Sequence, residues 1–200
     1  PDERFIVFIL SSMDSANILS TPDMFPDLFA EPLDALAEAA PGTAVLIKPH
    51  PATRAPFLEL QRNAIAARPH MRLAQTGLHP LLLARRAAFF VGNVFSSTFA
   101  NAVLMGVPTI EYTSYGADTL AATGGASMRP DLVSHFVNRD EAALRQLVQE
   151  LDARPASAAA KLIEDDPETA ALFDHLTGRT APRGAQLDVN QGPSLRAAAE

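Results

Sequence analysis

The sequence contains no cysteine and no tryptophan. The first absence excludes disulfides and thiolate metal sites and makes a reducing compartment, the cytoplasm, the expected location. Lysine is almost missing too: Lys48 and Lys161 stand against fourteen arginines. No apolar run approaches the roughly twenty residues of a membrane span. The N-terminus has no basic region followed by a hydrophobic stretch and a cleavage site, so a soluble chain is expected. A net charge of −7 and a pI near 5.2 leave no general electrostatic grip on nucleic acid, but they permit a local basic site for one phosphate group. The patterns GxGxxG and GxxxxGK[ST] are both absent, which removes the main support for a dinucleotide site or a P-loop. There is no HExxH, and His70, His135 and His175 have no metal-ligand spacing. Neither a protein-bound catalytic metal nor a cofactor is expected.

What is present is 200 residues, 48% of them hydrophobic, enough for one substantial core and a small appendage. "RFIVFILSS" is a continuous apolar run ended by serines, as in a strand buried on both faces. A loop over residues 11–26 leads to "PDLFAEPLDALAEAA", apolar at helical spacing, with Gly42 just beyond its end. "TAVLIKPH" is a second buried strand, and "APFLELQRNAIAAR" a helix that tolerates Pro56 in its first turn. "HMRLAQ", "HPLLLARRA", "AAFFVGN", "SSTFANAVLMG" and "VPTIEY" continue as strand, helix, strand, helix and strand; "LVSHFVN" and "RDEAALRQLVQELDA" close the series. Gly106 lies where a helix C-cap belongs. This alternation predicts parallel pairing through crossovers: an open Rossmann-like sheet with helices on both faces, over residues 1–154. Residues 155–200 are expected to form a tail with one or two short helices to about His175 and a surface or disordered end. The start "PDERFIVFIL" enters a strand within four residues and has no initiator methionine, as expected of a processed chain or a fragment of a longer protein.

Ligands of an open parallel sheet bind outside the carboxyl ends of its strands, where the strand order reverses. Three polar stretches fall at such ends: "SSMDSAN", beginning at Ser11; "KPHPATR", with Lys48, His50 and Pro51; and "GNVFSST", with Asn93, Ser96, Ser97 and Thr98. The hydroxyls of Ser96, Ser97 and Thr98 and the N–H groups of the following first turn suit an oxyanion, or one of them simply caps the helix. In "KPHP" the prolines restrict the backbone, so Lys48 and His50 project with little freedom toward a phosphate; the alternatives are a solvated strand end and a histidine bonded to a loop carbonyl. Glu111 is placed at the end of the fifth strand, either accepting from ligand hydroxyls or exposed in a loop. His79, before Pro80, reads as a helix cap. Gly124 and Gly125 suit a loop closing over a ligand or an ordinary turn.

The segments "VLIKPHP" and "FVGNVFSSTFANAVLMGVPTIEY", about forty residues apart, resemble the C-terminal, donor-binding domain of GT-B glycosyltransferases. The resemblance is to the branch that includes capsule polysaccharide transferases, Kdo- and sialyltransferases, and CDP-glycerol glycerophosphotransferases. It covers roughly residues 5–151 and rests on K-x-H-P (Lys48, His50, Pro51), the Ser-Ser-Thr run (Ser96, Ser97, Thr98), and G-x-P-x-I (Gly106, Pro108, Ile110). It implies a CMP- or CDP-linked nucleotide-sugar donor held by Lys48, Pro51 and the serine stretch; Ser11, Asn93 and Glu111, from their places at the strand ends, are expected to line the same site. His50 would be the catalytic residue at the departing phosphate. It further implies transfer without a tightly bound metal, in bacterial surface polysaccharide synthesis. The general base and the acceptor would come from a missing N-terminal domain or partner subunit, with peripheral membrane association of the full-length protein. A UDP-N-acetylglucosamine 2-epimerase-like domain and a noncatalytic α/β interaction module are the competing expectations.

Overall fold

A computed structural model describes residues 4–11, 24, 26–53, 55–155, 171, 173–175 and 177. Over residues 5–152 the described residues form six strands alternating with six helices: β1 (Phe5–Ile9), α1 (Asp27–Ala39), β2 (Ala44–Lys48), α2 (Ala55–Ala66), β3 (Leu73–Gln75), α3 (Pro80–Ala84), β4 (Ala87–Gly92), α4 (Phe99–Leu104), β5 (Thr109–Thr113), α5 (Ala117–Thr123), β6 (His135–Asn138) and α6 (Glu141–Asp152). The sheet order is β3-β2-β1-β4-β5-β6, and every neighbouring pair is parallel. This is the doubly wound order expected from the alternation. The chain steps outward from β1 to β3, returns to pair β4 with the other edge of β1, and continues outward to β6. The strand order therefore reverses between β1 and β4.

Two apolar layers, one on each sheet face, hold the elements together. One gathers Ile6, Phe8 and Val91 with Leu33 and Leu36 of α1, Leu144 and Val148 of α6, and partly buried Phe57 and Leu60 of α2. The other gathers Phe5, Val7 and Phe90 with Leu83 of α3 and Phe99 and Ala102 of α4. Every residue of β1 is buried because both faces are covered, which is why its sequence is a continuous hydrophobic run. Phe173 belongs to the second layer, its ring 5.4 Å from Phe5 and beneath the Arg86 guanidinium. Residues 171 and 173–175 are helical; the expectations for the rest of residues 156–200, and for most of the 11–26 loop, lie outside the described residues.

Helix ends follow local chemistry. His79 caps α3, its Nδ1 accepting from Leu81 N at 3.2 Å with Pro80 at the first helical position. Gly106, at φ 63°, ends α4, and Val107 N donates back to Ala102 O. Gly124 does the same for α5 at φ 63°, with Gly125 N donating to Leu120 O at 2.8 Å, so of the two expectations for this pair the turn is the one realised. The helix α5 itself is not foreshadowed in the sequence, because it buries no residue and carries no apolar stripe. Among the described residues, no helix is long and apolar enough to cross a membrane.

Candidate functional site

Registers across the sheet align its carboxyl ends. Lys48 of β2 pairs with Ile9 of β1, Ile9 with Gly92 of β4, Gly92 with Glu111 of β5, and Glu111 with Phe136 of β6. Residues in one row of a parallel sheet share a face, and strands lie about 4.8 Å apart, so Lys48 and Gly92 are about 10 Å apart across the strand-order reversal. The three stretches singled out by sequence thus border one sheet edge.

Ser11 and Asn93 meet there directly. Asn93 Oδ1 accepts from Ser11 N at 2.9 Å and from Ser11 Oγ at 3.1 Å, tying the end of β1 to the end of β4. Asn93 is fully buried, and its Nδ2 has no hydrogen-bond partner among the described residues. A buried amide without an acceptor is uncommon and calls for a water or a ligand oxygen.

Lys48 is half-buried and forms no ion pair among the described residues. Burial lowers its pKa from the ordinary lysine value, with no carboxylate to offset the cost. After it, the corner is a turn in which Thr53 N and Thr53 Oγ1 both donate to His50 O, at 2.9 and 2.6 Å, with Pro51 just after the first turn position. The exposed His50 ring accepts from Ala52 N through Nδ1 at 3.1 Å. That bond uses the Nδ1 lone pair, so Nε2 is the ring nitrogen left to donate.

The serine stretch is built differently from the sequence expectation. The first-turn N–H groups of α4 are engaged: Phe99, Ala100 and Asn101 donate to the carbonyls of Ser96, Ser97 and Thr98 at 3.0–3.1 Å. Ser96 Oγ accepts from Thr98 N at 3.2 Å in a local turn ahead of the helix, and among the described residues no side chain caps α4 itself. The turn begins upstream of the helix, and the amides left without a partner among the described residues are those of Ser96 and Ser97. Ser97 is exposed, and Thr98 is partly buried.

Glu111 lies inside its strand rather than at its end, and it is neither exposed nor open to a ligand. It is fully buried, and its carboxylate accepts from Phe95 N at 2.8 Å, from Tyr115 Oη at 2.6 Å and from Ser127 Oγ. Burial raises its pKa, and these three hydrogen bonds oppose the rise. Tyr115 and Ser127 escaped the sequence reading because they sit in "TSYG" and "GGASM", where no spacing marks them. Another network missed for the same reason joins Tyr112 to Glu31 (2.6 Å), Glu31 to Arg139 (2.8 Å) and Arg139 to Asp27 (3.0 Å). It fixes the start of α1 against β5 and the turn into α6, where Arg139 has φ 50°.

The structure therefore brings together Ser11 with Asn93 and Glu111 with the 93–98 loop. It aligns Lys48 in the same row, and it leaves His50, Pro51 and Ser97 exposed. No group of three or more metal-ligating side chains that could hold an ion occurs among the described residues. The lining is rich in donors: an ammonium, two amides and a carboxamide N–H. The fold is Rossmann-like and compatible with nucleotide-binding domains in general. No protein-family model matches the chain, and no curated protein shows significant similarity to it.

Proposed function

We propose that the chain binds the phosphate of a nucleotide-sugar at the edge between β2, β1 and β4, as the donor-binding half of a GT-B glycosyltransferase or glycerophosphotransferase using a cytidine nucleotide. One observation carries this reading: a half-buried lysine with no counter-charge among the described residues, in register with the strand whose following loop holds amides that no described residue engages. Such a site is completed by an anion. In the transfer step the bond from the donor group to its phosphate breaks, the acceptor hydroxyl oxygen forms the new bond, and the nucleotide leaves with the electron pair. His50 Nε2–H donates to that departing phosphate, while Lys48 and the Ser96 and Ser97 amides stabilise its growing charge. The base that takes the acceptor's proton belongs to a second domain or a partner subunit.

A second reading has a specific observation in its favour. Ser96 Oγ and His50 Nδ1 both make local turn bonds, as they would in a noncatalytic module where these residues only shape the chain. Calorimetric titration with CMP, CDP, UMP and UDP separates the two, using wild type and Lys48→Met. We expect cytidine-selective binding that weakens more than tenfold in Lys48→Met. Its folding stability should stay within about 0.5 kcal/mol of wild type or rise, since an unpaired ammonium is replaced by an apolar chain. Uridine preference favours the epimerase-like alternative, and silence from all four nucleotides favours the module.

A further inference from the structure

β5 differs from the other central strands in having one polar face. Thr109, Glu111 and Thr113 alternate with Ile110 and Tyr112, yet all five are buried. Ile110 and Tyr112 enter the apolar layer beneath α1 and α6. The connection from α5 to β6 runs along the other face: Thr109 Oγ1 donates to Leu132 O at 2.7 Å, Ser134 N donates to Thr109 Oγ1 at 2.9 Å, and Ser127 Oγ donates to Glu111.

The Glu111 carboxylate on this face accepts three hydrogen bonds among the described residues. Phe95 N and Tyr115 Oη share one oxygen, and Ser127 Oγ takes the other. These donors come from the loop after β4, the turn after β5 and the connection after α5. No cation contacts the carboxylate among the described residues. Burying a charge this way is costly when a Leu would fill the same volume. What the charge supplies is strong, directional hydrogen bonding to otherwise unpaired donors. The Phe95 amide so held lies between Asn93, which is fastened to Ser11, and Ser96. Val94, between the two anchors, is buried.

We infer that Glu111 is a positioning residue: its buried carboxylate sets the conformation of the 93–98 loop and couples that loop to residues 115–128. It acts on ligands through the Ser96 and Ser97 amides rather than by contact, a consequence that rests on the donor-site reading above. The anchoring itself does not. The coupling also assigns a role to Tyr115 and Ser127, whose hydroxyls fix the carboxylate in place. Tyr115 is in turn held by its own amide, which donates to Asn138 at 2.7 Å, and by its ring against Phe136.

Amide hydrogen exchange of the whole chain tests this, taking the ratio of the Phe95 rate to the Phe90 rate. Phe90 N donates to Pro108 O in the core sheet and reports global opening. Glutamine at position 111 replaces a charged acceptor with a neutral one and turns its amide N–H groups toward hydroxyls that already accept from Met128 N and Arg129 N. Glu111→Gln should therefore raise the ratio about tenfold, as expected when a charge-assisted bond is lost. The double variant Tyr115→Phe, Ser127→Ala leaves the acceptor of Phe95 untouched, yet by the coupling it should raise the same ratio at least threefold. An unchanged ratio in Glu111→Gln overturns the anchoring, and an unchanged ratio in the double variant overturns the coupling. CDP affinity, measured alongside, should fall about tenfold in Glu111→Gln, matching the lost bond. Absence of CDP binding to wild type would sink the donor-site reading while the exchange ratio still decides the anchoring. Retained affinity with a raised ratio would overturn the action on ligand.

Discussion

Gly92 carries no side chain because Phe99 occupies the space one would need. A Cβ at this position would lie 2.8 Å from Phe99 Cζ and 3.0 Å from Val94 O. The Phe99 ring is fully buried, so any shift it makes disturbs the core around it. Gly92→Ala should therefore destabilise the fold by about 1–3 kcal/mol, as overpacking of a tight core does; a shift of the urea midpoint at unchanged slope would measure it. The sequence shows a glycine before a polar loop, but not the ring that makes it necessary. His50 and Ser96 teach the converse lesson. Both were legible as residues at strand and helix ends, whereas the turn bonds that engage Nδ1 and Oγ depend on backbone geometry no spacing announces. Glu111 was placed on the correct edge of the sheet but read as reaching ligand or solvent. The error arose because the strand runs two residues beyond Glu111, to Thr113, and a carboxylate at a strand end ordinarily faces water.

At the scale of elements, continuous hydrophobic runs were reliable and alternation was not. β1, β2 and β4 are covered by helices on both faces and look it. β5 alternates polar and apolar residues although both its faces are buried, because a loop rich in hydroxyls and carbonyls covers the polar one. α5 was invisible because it packs nothing into the core. α6 was plain from its apolar spacing and its start at Asp140, whose carboxylate accepts from Ala143 N at 2.9 Å. Asp140→Ala removes that cap and should cost about 1 kcal/mol, read as a lowered thermal midpoint with an unchanged helix signal below the transition.

For the whole molecule, the buried carboxylate of Glu111 links stability to pH. Its folded-state pKa is raised, chiefly by burial, so between its ordinary and its raised value the folded chain holds a proton that the unfolded chain has released. The contribution of this group is thus fully present at acid pH and declines as pH rises through that window. In Glu111→Gln the decline should vanish; unfolding midpoints followed from pH 4 to 8 in both proteins test it, and parallel profiles would refute the assignment. Apart from α5, the succession of strands and helices, the parallel pairing and the edge on which polar residues gather were determined by the sequence alone, because hydrophobic period and glycine and proline positions are local properties. Which of those polar residues stay open to a ligand, and which are spent holding the loops, was decided only by tertiary structure. Hydrogen-bond partners such as Asn93 with Ser11, or Glu111 with Phe95 and Ser127, meet only when distant segments pack together.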